Sequence, residues 1–187
     1  GKETMDSAPS RHLIVSLILL LTIPLSAQQK TMWSAREQPI VDQIKGLRKL
    51  DDTVRTRTTK ELALQIRQLP VVPNKLKLAG ALANLSTEGD FGRDTLQEVT
   101  TTLASALQEQ PPAGKPGQPD DLYMWLASLV RYEHMQARSD NPQFAEALSK
   151  LEAADAARQQ ADFTLSDLQG NRWHLQELKG KVVLVNF

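Results

Sequence analysis

Cysteine is absent from the 187-residue sequence. Its absence excludes disulfide frameworks, thiolate metal sites and cysteine nucleophiles among the residues present. Histidine is scarce as well: the chain has only His12, His134 and His174, and no two of them have the helical or hairpin spacing of paired metal ligands. The sequence therefore predicts no metal site and no bound cofactor.

The chain also carries no excess of either charge. Its 22 Lys and Arg side chains balance 22 Asp and Glu side chains, so the formal net charge is zero. No stripe of basic residues alternates with aromatic residues. A chain of this kind has no electrostatic field that would draw it to nucleic acid or to an anionic membrane surface. We therefore expect no nucleic-acid partner.

Residues 5–27 have the three parts of a secretory signal peptide. A short polar region ends at His12, an apolar stretch covers residues 13–23, and Pro24 precedes a cleavage-type sequence at residues 25–27. The apolar stretch is short for a transmembrane helix, which needs about 20 residues. We therefore expect an extracytoplasmic protein, periplasmic or secreted. An uncleaved N-terminal membrane anchor is the alternative.

Residues 34–159 are predicted to form a helical domain of six amphipathic helices. Apolar residues recur at helical spacing from Ile40 onward, and prolines and glycines separate the helical segments. The run Pro111–Pro119 contains four prolines and two glycines, which predicts an exposed connector. Because no fixed repeat period is present, stacked helical hairpins and a simple bundle both stay open as architectures.

Polar capping residues predict where the helices begin. The sequence Thr58-Thr59-Lys60-Glu61 has the pattern of a capping box, in which the threonine and glutamate side chains bond to free backbone N–H groups, and it predicts the start of the second helix. The predicted first residues or caps of the next four helices are, in order, Asn74, Asp94, Asp120 or Asp121, and Asn141 followed by Pro142.

No side chain of the helical domain is predicted to carry a reaction. Trp125 lies at core spacing, whereas Tyr123 and Met124 are predicted to lie on the outer face of their helix, where a partner could touch them. The charged residues are predicted to face solvent; examples are Lys75, Lys77, Arg131 and Glu133.

The pattern changes from helical to alternating at Asp162. Residues 163–165 and 173–175 predict two short strands, joined by turn residues at 169–171. Residues 181–187 form a continuous β-branched and apolar run, which predicts a central strand covered on both faces. The chain is therefore expected to be mainly α-helical at first and to continue at residues 161–187 with the first strands of an α/β domain.

The order of these C-terminal signals matches a known pattern. The matching residues are Asp162–Leu168, Gly170, Leu175, Leu178–Lys181 and Val182–Phe187. This segment resembles the start of the redoxin branch of the thioredoxin superfamily, in particular the exported TlpA/ResA-like thiol-disulfide oxidoreductases. In that family the phrase leads directly into W-A-x-W-C-x-x-C. The resemblance covers residues 161–187, about one seventh of the chain, and implies a thioredoxin-like α/β domain.

The resemblance implies an enzyme that exchanges electrons with protein thiols or disulfides, or with a redox partner protein. Its catalytic Cys-x-x-Cys would follow directly after Phe187, at the start of a helix whose N-terminus lowers the pKa of the first thiol. No catalytic residue is therefore assigned within the sequence. Because four residues precede Met5 and the chain stops inside an apolar run, we interpret the sequence as a fragment of a longer reading frame.

Two other functions stay open. A peroxiredoxin domain opens similarly but uses one peroxidatic cysteine after a proline-threonine loop, and the ending Val185-Asn186-Phe187 favours the oxidoreductase over it. The second alternative is a non-catalytic protein whose helices bind a partner. Trp173 and His174 are interpreted as a packing tryptophan and a surface histidine of the hairpin, rather than as parts of a substrate site.

Overall fold

A computed structural model describes residues 31–115, 117–160 and 162–182. The chain is mainly helical over this part, with a small two-stranded antiparallel sheet near the C-terminus. The predicted signal peptide at residues 5–27 lies outside the described residues, as do residues 183–187 of the predicted central strand. Within the described ranges, every helix is too short or too polar to cross a bilayer.

Six α-helices precede the sheet in the part of the chain that the structure describes. They are α1 Gln38–Gly46, α2 Asp52–Arg67, α3 Pro73–Ser86, α4 Arg93–Glu109, α5 Asp121–Arg131 and α6 Pro142–Gln160. A 3-10 turn at Leu47–Lys49 follows α1 directly, and another at Leu175–Leu178 follows the sheet. The six helical segments expected from the apolar spacing are therefore present.

A capping box lies just before α1, at Ser34 and Glu37, and not at the predicted position in Thr58–Glu61. The backbone N–H of Ser34 donates to Glu37 Oε2 at 2.6 Å, and the N–H of Glu37 donates to Ser34 Oγ at 3.3 Å. Burial alone would raise the pKa of Glu37, but hydrogen bonds from Ser34 and Asn74 outweigh it, so the pKa lies below its ordinary value. The carboxylate therefore stays charged although it is almost fully buried.

The predicted start of the second helix is wrong. Helix α2 begins at Asp52, because Asp51 caps it by accepting a hydrogen bond from the N–H of Val54 at 3.0 Å. No proline or glycine lies between Asp52 and Thr58, so the helix continues through the Thr58–Glu61 sequence without a second start. A capping-box pattern therefore does not mark a helix start when the helix already has an earlier cap.

The other helix starts agree in part with the expectation. Asp120 caps α5 by accepting from the N–H of Leu122 at 2.9 Å, and Asn141 caps α6 by accepting from the N–H of Gln143 at 3.0 Å; both predictions are confirmed. Asn74 and Asp94 lie in the first turns of α3 and α4 but do not cap them. Their caps are Val72, followed by a proline, and Gly92, whose φ of 71° favours glycine.

The helices pack in chain order. Each substantial contact among the described helices joins elements one or two places apart: α1 contacts α2 and α3, α2 contacts α3 and α4, α3 contacts α4 and α5, α4 contacts α5, and α5 contacts α6. This order is typical of stacked helical hairpins, in which each unit buries its apolar face against its neighbours. The core runs through the stack; its largest fully buried side chains include Leu62, Ile66, Leu82, Leu103 and Tyr123.

Tyr123 is therefore not on an outer face, and this prediction is wrong. Its side chain has no exposed area, while Met124 and Trp125 are partly buried. The reason is that α5 contacts α3, α4 and α6, so most of its circumference is covered. A helix with three neighbours has no single inner stripe, and the spacing of its apolar residues does not identify its exposed face.

Several ion pairs connect helices that are distant in sequence. Arg48 and Arg55 both pair with Glu88, which lies just after α3. Arg67 at the end of α2 pairs with Glu98 on α4. These pairs are partly or largely exposed, so we expect each to stabilise the stack only weakly.

Lys75 differs from these cations because it is buried, with 3% of its surface exposed. Its Nζ donates to the backbone carbonyls of Arg67 and Leu69, both at 3.0 Å, and to Glu109 Oε1 at 2.9 Å. The prediction that Lys75 faces solvent is wrong. All three ammonium protons have acceptors here, so burying the charge leaves no donor unsatisfied.

Candidate functional site

The described residues contain no group of three His, Asp or Glu side chains that could hold a metal ion. Two other features remain as candidates for function. One is the C-terminal hairpin, which carries the resemblance to redoxin domains. The other is a cleft in the helical part. We describe the hairpin first.

The hairpin consists of β1 Thr164–Ser166 and β2 Arg172–His174, paired antiparallel. Each strand is shifted by one residue from its predicted range. The ladder continues beyond the assigned strands, because the N–H of Leu175 donates to the carbonyl of Phe163 at 3.1 Å. The difference therefore concerns only the ends of the strands.

Asp167 organises the turn between the strands. Its Oδ1 accepts from the N–H groups of Gln169 and Asn171, at 3.0 and 2.8 Å. Its Oδ2 accepts from the Asn171 amide at 2.9 Å and from the Trp173 indole at 3.1 Å. These bonds, first of all those from Asn171 and Trp173, lower the pKa of Asp167. The turn also needs Gly170, whose φ is 84°.

The two faces of the hairpin differ in polarity. Leu165 and Trp173 are directly opposite each other on one face, with 56% and 49% of their surfaces exposed. Thr164 and His174 form the neighbouring pair on the other face, where Thr164 Oγ1 and His174 Nδ1 are 2.8 Å apart. Trp173 and His174 thus point to opposite sides and do not form one site.

The apolar face of the hairpin is only partly covered in the described part of the chain. Phe163, which continues the face beyond β1, is 40% exposed, and Leu168 in the turn is fully exposed. The substantial contacts of the described hairpin are between its own strands and with the 3-10 turn that follows β2. A two-stranded hairpin is marginally stable alone and usually needs a third strand or a packed layer. The face is therefore suited to further packing.

The second candidate is a cleft of about 680 Å³. It lies where the end of α4, the start of α5 and the segment before α6 meet. Its lining residues are Leu107, Gln108, Pro111, Tyr123 and Arg138–Pro142. Burial, and secondarily the charge of Asp120, raises the pKa of Tyr123. This phenol is therefore neutral at physiological pH, and its buried side chain makes a hydrogen bond with Asn141. The volume is within the range of about 300–1,000 Å³ that is usual for ligand sites.

A polar cluster joins the ends of α5 and α6. Arg131 Nε donates to Asp155 Oδ2 at 2.6 Å, Arg158 pairs with the other carboxylate oxygen, and the Tyr132 hydroxyl donates to that oxygen at 3.0 Å. These bonds, that from Arg131 first, lower the pKa of Asp155. The cluster fastens the end of α5 to the last turns of α6.

Comparisons with protein-family models, with curated proteins and with solved structures give no match to this chain.

Proposed function

We propose that this chain belongs to an exported thiol-disulfide oxidoreductase of the thioredoxin-like type. In this proposal the helical part is an accessory or partner-binding domain, and the C-terminal hairpin opens the redox domain. The catalytic Cys-x-x-Cys is expected directly after Phe187. The substrates are protein thiols or disulfides, or a redox partner protein.

The observation that carries the proposal is the hairpin, which has one apolar and one polar face. The residues that match the redoxin phrase have clear physical roles in it: Asp167 accepts four hydrogen bonds that shape the turn, and Gly170 supplies a positive φ. Leu165 forms part of an apolar face that is only partly covered among the described residues. These features are those expected of the first two strands of a larger sheet, and they support the assignment of residues 161–187 to such a domain.

The reaction follows from the position of the expected cysteines. A thiol at a helix N-terminus has a lowered pKa, so part of it is thiolate at neutral pH. The thiolate attacks one sulfur of a substrate disulfide and forms a mixed disulfide, releasing the other sulfur as a thiolate that takes up a proton. The second cysteine then attacks the mixed disulfide. The substrate leaves as a dithiol, and the enzyme retains the new disulfide.

The coding sequence that follows Phe187 provides the first test. We expect a W-C-x-x-C sequence within about ten codons, at the start of the helix where a low thiol pKa requires it. A P-x-x-x-T-x-x-C sequence would indicate a peroxiredoxin instead. A continuation without cysteine would contradict both enzymes and favour a non-catalytic partner-binding protein.

An insulin-reduction assay provides the second test. The extended chain should reduce insulin with dithiothreitol as electron donor, and replacing the first cysteine by serine should abolish turnover. The 187-residue chain is the matched control, because it has no thiol and should be inactive. Turnover by this control, or none by the extended chain with its Cys-x-x-Cys, would contradict the proposed chemistry.

A further inference from the structure

Two irregular segments border the cleft, and glutamine side chains hold both in place. Gln143 on α6 donates from Nε2 to the carbonyl of Pro112 at 2.9 Å and accepts at Oε1 from the N–H of Asp120 at 3.0 Å. It thereby joins the two ends of the proline-rich connector. Gly114 lies so close to this amide that a Cβ at that position would be 2.2 Å from Oε1.

The segment on the other side is held in the same way. Gln97 on α4 donates from Nε2 to the carbonyl of Gln136 and accepts at Oε1 from the N–H of Gln136, both at 2.9 Å. Arg93 donates to the carbonyl of His134 at 3.3 Å. Fixing a loop costs backbone conformational entropy. Two loops fixed around one opening form a preorganised cleft, which lowers the entropic cost of binding.

Next to the segment that Gln97 holds, the backbone has free hydrogen-bonding groups. The N–H and C=O groups of residues 137–140 have no hydrogen-bond partner among the described residues. Arg138 and Asp140 likewise make no ion pair or side-chain hydrogen bond within the described ranges. Their charges are opposite and cancel. Three apolar residues also line the cleft: Pro111 and Pro142, which are exposed, and Leu107, which is buried.

We infer that this cleft binds an extended segment of a partner polypeptide. A polypeptide offers alternating N–H and C=O groups, which complement the free N–H and C=O groups of residues 137–140. The apolar lining residues accept a side chain of the segment. Since the lining charges cancel, the cleft selects for backbone and apolar contacts rather than for net charge. The inference does not use the proposed redox chemistry, so either can fail without the other.

Reduced, carboxymethylated α-lactalbumin is a suitable probe, because it is permanently unfolded and offers extended backbone. Binding of the fluorescently labelled probe to the full chain is measured by anisotropy. Two variants place an indole at the cleft from different segments, Gln108→Trp on α4 and Arg138→Trp before α6. Both original side chains are exposed, so the changes should leave the fold intact, as checked by circular dichroism. The matched control is Gln43→Trp, an exposed glutamine on α1.

We expect each cleft variant to weaken binding at least about tenfold and the control to change it less than about twofold, because only the cleft variants displace the segment. Raising the salt from about 50 to about 500 mM should change the Kd less than threefold, since the lining charges cancel. Absence of binding by the parent chain, equal loss in the control, or no loss in a folded cleft variant would overturn the inference. Self-association abolished by the cleft variants, without probe binding, would assign the cleft to a second copy of this chain instead.

Discussion

Replacing Lys75 by methionine tests whether the buried ammonium is as important for stability as its contacts indicate. Methionine keeps most of the aliphatic stem, so the change removes the charge and its three hydrogen bonds without opening a large cavity. Breaking a buried ion pair from one side costs about 3–5 kcal/mol. Glu109 is 28% exposed and can regain water, which places the expected loss near the lower end, about 3 kcal/mol.

Urea unfolding followed by far-UV circular dichroism measures this loss. At an m-value of about 2 kcal/mol/M, a loss of about 3 kcal/mol lowers the midpoint by about 1.5 M. The matched control is Lys45→Met, an exposed lysine on α1, which should change stability by less than about 0.5 kcal/mol. A double variant, Lys75→Met with Glu109→Leu, should recover part of the loss because no unpaired charge remains. A loss below about 1 kcal/mol for Lys75→Met would refute the reasoning.

Three further changes test other parts of the structure. Asp167→Ala should remove the hydrogen bond to the Trp173 indole and shift its Nε1–H resonance in NMR spectra. In the parent chain the same bond should persist above the ordinary carboxyl pKa and be lost as the pH falls through the lowered pKa of Asp167. Gly80→Ala should destabilise the fold by about 1–2 kcal/mol, although alanine has the better helix propensity. The reason is that the new Cβ would lie 2.3 Å from a methyl carbon of Leu122. The loss of stability should disappear in a Leu122→Ala background. Gln143→Ala should accelerate hydrogen exchange of the amide that it holds at the start of α5, and unchanged exchange would contradict this role of Gln143.

The helices could be predicted from the sequence because their signals are local. Apolar spacing identified six segments, and the caps Asp120 and Asn141 are correct because a side chain caps the backbone of its own first turn. The pattern Ser34-x-x-Glu37 offered the same kind of signal and was missed. Thr58–Glu61 has the same pattern, but it lies inside a helix that already has an earlier cap.

Burial could not be predicted as well, because it depends on contacts distant in sequence. Lys75 is buried because the end of α2 and Glu109 on α4 converge on it, and no local pattern contains this information. Tyr123 is buried because α5 has three neighbours. The hydrogen bonds by which Gln97 and Gln143 hold the two loops could not be predicted either. Both are ordinary polar residues, and their partners lie 39 and 31 residues away.

The helical part and the hairpin differ in how completely contacts within the chain satisfy their polar and apolar groups. In the helical part, the buried polar groups are almost all bonded within the chain; among the described side chains, only Arg55 Nε and Thr59 Oγ1 are buried without a partner. In the hairpin, the polar turn is satisfied but the apolar pair Leu165 and Trp173 is only about half covered. About half of each side chain remains in contact with water, and covering it would yield roughly 1 kcal/mol per side chain. The hairpin therefore gains stability from whatever packs on this face, and the redox proposal assigns that role to the domain that carries the cysteines.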